Sequence, residues 1–424
     1  MNYIELKDYI ETKEFESKLN VITNCDDFSN EKKRYLSLLE KAYSKYGDGD
    51  YHFISSPGRS EICGNHTDHQ HGHVVACSLD INNVVIFKLN NTNICNYDDT
   101  KFDSISIDLS DLNKKDNELN TSKSLIKGIA YKLTQLGYRI GGFDAVCDSN
   151  VLIGSGISSS ACFEVMIVEI FNTLFNENRV SDIERATISQ YAENEYFGKP
   201  SGLMDQMTIS VGGVVAIDFK NQEPVIDKHN FSFSDYGYEL LLVNTKGNHS
   251  DLSHEYSSIT KEMKDVCKVL GVEHLAETTY EKFIENISKI RESINNDRAI
   301  LRTFHFFNED KRAVEFKSAI KKKDISEILN IINKSGRSSF EYLQNVYPSS
   351  RTESQPLALA LAIADEVLKE NGAYRVHGGG FDGTVLAIVP SDLTKEFVSK
   401  MNGIFGENCV MKSSVSEQGT RVII

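Results

Sequence analysis

The stretch that most constrains the fold of this chain is VLIGSGISSSACFEVMIVEIFNTLF at positions 151–175. Three apolar residues lead into a glycine–serine turn, which is followed by a long apolar segment with helical character. Glycines let the backbone turn and approach a ligand closely, and serines cap helices by satisfying their first N–H groups. The positive end of a helix with exposed N–H groups also binds phosphate. Alone, the stretch fits a phosphate-binding loop and a simple capped helix equally well.

The rest of the chain mixes helical and β-type patterns. The region 1–50 has a helical pattern. Its apolar spacing would place four residues on one helix face, namely Tyr35, Leu38, Leu39 and Ala42. The pattern predicts further helices over 121–137, 157–177, 182–197, 256–300, 307–346 and 355–371, strands over 74–90, 212–219, 238–245 and 383–390, and a polar connector over 222–235. This intermixing predicts an α+β (mixed α/β) fold. The length favours two or three domains, and we divide the chain at the connector into two, residues 1–230 and 231–424.

Composition excludes several classes of protein. A net charge of −15 opposes non-specific binding to nucleic acid. The eight cysteines are scattered without a CxxC pair, which argues against zinc knuckles and disulfide frameworks and suits a reducing cytoplasm. No segment is apolar enough to span a membrane, and the N-terminal residues lack the apolar core of a signal peptide. We therefore expect a cytoplasmic protein, a monomer or weak homo-oligomer, without nucleic-acid or membrane partners.

Three more motifs accompany the glycine–serine turn. They are SSPGRSEICGNHTDHQHG at 55–72, GKPSGLMDQ at 198–206 and VHGGGFDGTVLAIV at 376–389. Taken together with the turn, they resemble the GHMP small-molecule kinases, and the motifs at 55–72 and 198–206 resemble those of galactokinases. The resemblance spans residues 50–390. It implies a two-domain fold with the active site in the cleft between the domains, and an enzyme that phosphorylates the anomeric hydroxyl of D-galactose with ATP.

The resemblance also implies how the nucleotide is held. The phosphates of ATP would lie against the loop formed by Gly154, Ser155, Gly156, Ile157, Ser158, Ser159 and Ser160. Ser160 and Glu193 would bind Mg²⁺, which is usually held by few protein oxygens together with phosphate oxygens and water. The run Gly378, Gly379 and Gly380 would close the cleft across the nucleotide and sugar sites. The alternatives are a solvated helix charge for Glu193 and an ordinary strand–turn for the glycines.

Two residues would carry the chemistry. Asp205 matches the catalytic aspartate of the family, where a carboxylate aimed at the sugar hydroxyl assists loss of its proton. Arg59 matches the arginine that lies beside it, and it would keep Asp205 ionised and stabilise charge on the transferred group. A lowered pKa weakens a base, so Asp205 either takes the proton or stabilises it during transfer. The alternatives are a helix N-cap for Asp205 and a solvated residue after a Pro–Gly turn for Arg59.

The run HTDHQHGH, from His66 to His73, fits two interpretations. Its alternating histidines suggest a metal site, but the run lacks the cysteine and glutamate ligands that often accompany histidine. The resemblance instead assigns it to sugar recognition. The sugar-binding residues it implies are Asn65, His66, Asp68, Gly202, Asp205 and Tyr256. The other histidines would be turn or packing residues, and the alternative for Asp68 is a turn carboxylate bonded to its own backbone.

Three positions depart from the family pattern. Asn65 stands where many galactokinases carry glutamate near C6 of the sugar, which leaves room for a C6-modified galactose such as galacturonate. Asp382 replaces a common glycine, and Asn248 replaces an expected arginine. Two other functions stay open: a non-catalytic sensor of galactose and ATP on the same fold, and a GHMP kinase acting on mevalonate or homoserine. Intact Arg59 and Asp205 disfavour the sensor, and Asp68 disfavours the non-sugar substrates.

Overall fold

The protein is described from a computed structural model, which covers residues 1–23, 28–101, 103–151, 156–221, 223–247, 252–381 and 383–424. The chain begins with α1 (Tyr3–Ile10), α2 (Lys13–Asn20) and α3 (Ser29–Tyr46). The predicted face of α3 is confirmed, because its four apolar residues are all buried. They pack on Phe15 of α2 and on the first strand of the adjacent sheet. These helices therefore cover one face of that sheet.

The first sheet contains eight strands. They are β1 (His52–Cys63), β2 (His73–Leu89), β3 (Ile94–Asp99), β4 (Ile105–Asp108), β5 (Phe143–Ser149), β6 (Val214–Asp218), β7 (Val225–His229) and β12 (Arg421–Val422). Their order is β12-β1-β2-β5-β3-β4, and β6 and β7 branch from β2. All pairs are antiparallel except β3 and β5. The continuous apolar run in β2 follows from burial on both faces: Val84 and Ile86 face α3, and Val85 and Phe87 face the opposite helix layer.

That opposite layer holds α4 (Ser122–Gln135), α5 (Ser159–Phe175), α6 (Asp182–Tyr191) and α7 (Met204–Val211). A π-helical turn, Ala192–Phe197, continues α6. The helix α5 is apolar on nearly all sides because it is buried in the middle of the layer. Both α5 and α7 pack on β1 and β2, which brings the glycine–serine turn and the GKPSGLMDQ motif to the same end of the sheet.

The second sheet is antiparallel and contains β8 (Tyr238–Asn244), β9 (Ala373–Val376), β10 (Thr384–Pro390) and β11 (Val410–Ser413), in the order β11-β8-β10-β9. The accompanying helices are α8 (Ser253–Leu270), α9 (Tyr280–Ile294), α10 (Asp297–Lys322), α11 (Ile325–Ser338), α12 (Pro356–Leu368) and α13 (Thr394–Phe405). One apolar core joins the two sheets, since Ile62, Leu242 and Phe316 belong to the same cluster. Among the described residues, no helix is long and apolar enough to cross a membrane.

Two predictions about individual elements were wrong. The stretch 222–235 is not only a connector, because Val225–His229 forms β7, a polar edge strand paired with β6. The predicted break between 300 and 307 lies inside α10, and the true breaks fall at N-caps, among them Asn296 and Asp324. The mixed α/β class is confirmed. The division into 1–230 and 231–424 stays a prediction, since β12 returns to the first sheet.

Candidate active site

Arg59 and Asp205 form an ion pair at the centre of the site. Arg59 lies in β1 and Asp205 is the second residue of α7. The guanidinium binds the carboxylate through two hydrogen bonds, Nε to Oδ1 at 2.6 Å and Nη2 to Oδ2 at 2.7 Å. Such bidentate pairs fix orientation as well as charge. The third nitrogen of Arg59 donates to the carbonyl of Gly156, and the Ser158 hydroxyl donates to Asp205. The ion pair therefore touches the glycine–serine loop directly.

These contacts decide the charge of Asp205. Burial by itself raises its pKa, but the Arg59 guanidinium, the hydrogen bonds from Arg59 and Ser158, and the charge of Lys199 outweigh that effect. The net pKa of Asp205 lies below its ordinary value. Asp205 is therefore ionised at neutral pH and accepts hydrogen bonds.

The serines of the loop do not all act as expected from the sequence. Ser158 is the N-cap residue of α5, but its side chain makes no capping bond and its backbone is left-handed, with a φ of 61°. Its hydroxyl donates to Asp205 instead. Among the described residues, the N-cap side chain therefore does not satisfy the first N–H groups of α5, and the positive end of a helix is a place where an anion can bind. Ser159 is the first residue of α5, and Ile157 precedes the helix in the loop. Gly154 and Ser155 lie outside the described residues.

Glu193 gathers several donors beside this loop. Its Oε1 accepts from the Ser160 hydroxyl at 3.0 Å and from Lys199 Nζ at 2.8 Å. Its Oε2 accepts from the Ser201 hydroxyl at 2.6 Å and from Gln206 Nε2 at 2.8 Å. The carboxylate is 2% exposed and already holds a cation, the ammonium of Lys199. A hydroxyl and a carboxylate oxygen are hard ligands that suit Mg²⁺, so the pair Ser160 and Glu193 fits that ion.

Asp68 lies against Gly202, close enough to Asp205 for the two charges to interact. Its Oδ1 accepts from the backbone N–H of His69 at 2.9 Å. Its Oδ2 lies so close to Gly202 that a Cβ atom on that residue would overlap it. Burial and the Asp205 charge raise the pKa of Asp68 to about 6. The structure thus brings the predicted residues Asp68, Gly202 and Asp205 near one another.

Three predicted sugar residues hold the triple-glycine run. The Asn65 amide donates to the carbonyl of Gly378 at 2.8 Å, and the Tyr256 hydroxyl donates to that of Gly380 at 3.0 Å. His66 Nε2 lies 3.2 Å from the Gly379 carbonyl. A carbonyl only accepts, so Nε2 carries the proton and Nδ1 is left as an acceptor. Burial lowers the pKa of His66 to about 4, so the ring is neutral. Each of the three glycine carbonyls therefore contacts a predicted sugar-binding residue through a hydrogen bond.

The side chain of Asn65 is almost fully used within the protein. Its second amide hydrogen goes to Glu61 Oε1 at 2.8 Å, and its Oδ1 accepts from Asn345 Nδ2 at 2.9 Å. Behind it, the buried Glu61 carboxylate pairs with the fully buried Arg375 at 3.2 Å, and burial raises the pKa of Glu61 to about 7. No motif in the sequence marks Glu61, Asn345 or Arg375 as site residues. The only sequence signal was the position of Glu61, two residues after Arg59 on the same strand.

The remaining histidines of the run diverge from one another. The His71 ring stacks on His274 with centroids 3.6 Å apart, and His73 Nδ1 bonds Asp310 at 2.8 Å. His69 is half-buried beside Gln70. Within the described residues, the run forms no cluster of metal ligands. His71 and His73 thus contact different partners, and the packing roles of these histidines stay a prediction. Asp382 and Asn248, where the chain departs from the family pattern, lie outside the described residues.

Comparison with known proteins finds relatives along most of this chain. Residues 124–213 match the family model for the GHMP kinases N terminal domain, and residues 41–89 match the galactokinase galactose-binding signature. A galactokinase of Clostridium tetani is 28% identical over 91% of this chain and 97% of its own length. One of Actinobacillus pleuropneumoniae is 26% identical over 89% and 94%.

Solved structures share the fold. The galactose complex of Lactococcus lactis galactokinase superimposes with a TM-score of 0.78 at 24% identity, over 91% of this chain and 99% of that one. Methanococcus jannaschii mevalonate kinase gives a TM-score of 0.60 at 17% identity, over 87% and 99%. The resemblance drawn from the sequence motifs is confirmed.

Proposed function

We propose that this chain, which belongs to the GHMP kinase family, transfers the terminal phosphoryl group of ATP to the anomeric hydroxyl of D-galactose. The observation that carries the proposal is the ion pair of Arg59 and Asp205. It contacts the glycine–serine loop through Gly156 and Ser158, and its charges act on Asp68. A phosphate-binding loop and a sugar-binding carboxylate thus meet at one ionised aspartate.

In the proposed reaction, Asp205 orients the anomeric hydroxyl. Its lowered pKa makes it a weak base, so early removal of the proton is unfavourable. The hydroxyl becomes far more acidic as its oxygen bonds to phosphorus, and Asp205 then receives the proton. Arg59 holds the carboxylate in place and adds positive charge near the transferred group. Alignment therefore contributes more than basicity.

The nucleotide would bind at the N-terminus of α5. The uncapped N–H groups there, together with Gly156 to Ser160, face the phosphates. We propose Ser160 and Glu193 as the protein ligands of Mg²⁺, which would neutralise phosphate charge when bound. The triple-glycine run, held by Asn65, His66 and Tyr256, would cover the cleft.

The sugar pocket offers acceptors, which match the hydroxyl donors of a neutral hexose. Asp68 is a carboxylate, and the Nδ1 of the neutral His66 accepts. A uronic acid would need a donor or a cation beside C6, but both amide hydrogens of Asn65 are already donated within the protein. An unpaired carboxylate in a buried site is costly. We therefore propose galactose rather than galacturonate as the substrate.

Release of ADP in the presence of a panel of sugars tests this proposal. We expect Mg²⁺-dependent turnover with D-galactose, a loss of at least about 100-fold in kcat for Asp205→Asn, and retained galactose binding in that variant. Turnover with mevalonate, homoserine or galacturonate but not galactose would refute the proposed substrate. Galactose binding without any turnover in the wild type would instead support a sensor.

We also propose a cytoplasmic location for the protein, as expected from its sequence. The seven cysteines among the described residues are unpaired and buried, which suits a reducing cytoplasm. Monomer or weak homo-oligomer stays a prediction.

A further inference from the structure

Lys199 reaches from the mouth of the cleft to a buried carboxylate. It lies in the connection between the π-helical turn Ala192–Phe197 and α7. Its ammonium bonds Glu193 Oε1 at 2.8 Å, and the same oxygen accepts from Ser160 at 3.0 Å. The Lys199 side chain is 56% exposed, whereas that of Glu193 is 2% exposed. The ammonium group therefore lies beside the loop, on a side chain that is more than half exposed to solvent.

Glu193 does not depend on Lys199 for its position. Ser160, Ser201 and Gln206 also donate to its two oxygens, and Gln206 is fully buried. These three donors hold the carboxylate if the ammonium leaves. The ion pair with Lys199 is therefore the exchangeable contact of Glu193, because it alone involves a largely exposed side chain.

The site needs more positive charge when a nucleoside triphosphate arrives. Three of the five N–H donors of Arg59 are committed, to Asp205 and to the Gly156 carbonyl. The charge of Lys199 acts on the same space, since it helps to lower the pKa of Asp205. Lysine carries a compact charge on a flexible stem, which suits a contact that changes partner.

We propose that Lys199 is a phosphate-binding residue that rests on Glu193 in the nucleotide-free protein and moves its ammonium group to the terminal phosphate when ATP binds with its metal. The proposal rests on the proposed function of this site. It follows that the ammonium group and a divalent cation compete for Oε1 of Glu193, and that Lys199 distinguishes ATP from ADP.

Binding measurements on the whole protein test this proposal without turnover. The non-hydrolysable ATP analogue AMP-PNP and ADP are each titrated calorimetrically with Mg²⁺ present, and Mn²⁺ binding without nucleotide is followed by electron paramagnetic resonance. The variants are Lys199→Met, which keeps the stem, and Lys199→Arg, which keeps the charge. The matched control is Lys268→Met, because Lys268 also forms an ion pair but on the exposed surface of α8.

Since a hydrogen bond to a charged group is strong, Lys199→Met should weaken AMP-PNP binding about tenfold and ADP binding less than about twofold. Mn²⁺ should bind Lys199→Met at least as tightly as the wild type, because a competitor has been removed. Lys199→Arg should retain most of the affinity for AMP-PNP, and Lys268→Met should match the wild type.

Equal losses for ADP and AMP-PNP, or weaker Mn²⁺ binding in Lys199→Met, would show that Lys199 only supports Glu193 and would overturn the proposal. Unchanged AMP-PNP affinity would overturn it as well. Neither titration contains sugar, so turnover of the wild type with D-galactose tests the proposed function separately.

Discussion

Replacing Asp68 with asparagine should stabilise the protein at neutral pH while it weakens sugar binding. In the native protein, burial and the charge of Asp205 raise the pKa of Asp68 from 3.8 to about 6. The native state therefore holds the proton more tightly than the unfolded chain does. A group with a raised native pKa contributes its full stability below the unfolded pKa, and that contribution is lost as pH rises through the native value. An asparagine side chain does not ionise, so the variant does not lose this stability as the pH rises.

The pKa change sets the size of the effect. A rise from 3.8 to about 6 corresponds to about 3 kcal/mol of unfolding free energy, at about 1.4 kcal/mol for each tenfold change in proton affinity. Asp68 is only half-buried, so solvent screening reduces this figure and we expect between about 1 and 3 kcal/mol. Asparagine keeps an oxygen for the backbone N–H of His69, so the local hydrogen bond survives.

Urea denaturation at a pH of about 8 and of about 4.5 measures the difference. The advantage of Asp68→Asn should be largest at the higher pH and should shrink by about 2 kcal/mol or less at the lower one. The exposed Asp235 provides the control, since Asp235→Asn should change stability little at either pH. If Asp68→Asn is destabilised at the higher pH, or if its advantage does not depend on pH, the charge on Asp68 is not buried as described.

Two other changes have defined outcomes. Gly202→Ala should raise the KM for galactose at least about tenfold, because its methyl group would displace the Asp68 carboxylate. The circular dichroism spectrum should stay unchanged. An unchanged KM would show that the sugar binds elsewhere. Arg375→Met should lower the unfolding free energy by about 3–5 kcal/mol at a pH of about 8, because it leaves Glu61 buried without a counter-charge. Glu61→Gln should cost clearly less in the same denaturation assay, and equal losses would contradict the role of the ion pair.

Much of the fold follows from local pattern. The buried face of α3 and the doubly buried strand β2 were readable because helical spacing and continuous apolar runs reflect burial directly. The strand β7 was missed because an edge strand exposed to solvent carries no apolar alternation. The helices α9 and α10 were assigned wrong limits, because the polar residues at their ends also occur within solvated helices.

The site was predictable where it follows a motif and not where it depends on distant contacts. Arg59 and Asp205 lie 146 residues apart in sequence. From the sequence, their contact could be predicted only through the family resemblance. The contact between Asn65 and Asn345 joins residues 280 apart, and no local pattern marks Asn345. Lys199 reads as an ordinary surface lysine beside a proline. Its role becomes apparent only from the carboxylate that it contacts.

The strand β12 gives the chain a particular order of assembly. Val422 pairs with Ile54 on β1, and the backbone of Ile423 bonds that of Phe53, so β1 acquires its outer neighbour from a segment far downstream in the sequence. During synthesis, this edge of β1 stays open until the β12 segment has left the ribosome. Long-range closure of this kind slows folding and leaves an unpaired edge exposed to other chains. The nascent protein is therefore vulnerable to misassociation at this edge until β12 has been synthesised and has paired with β1.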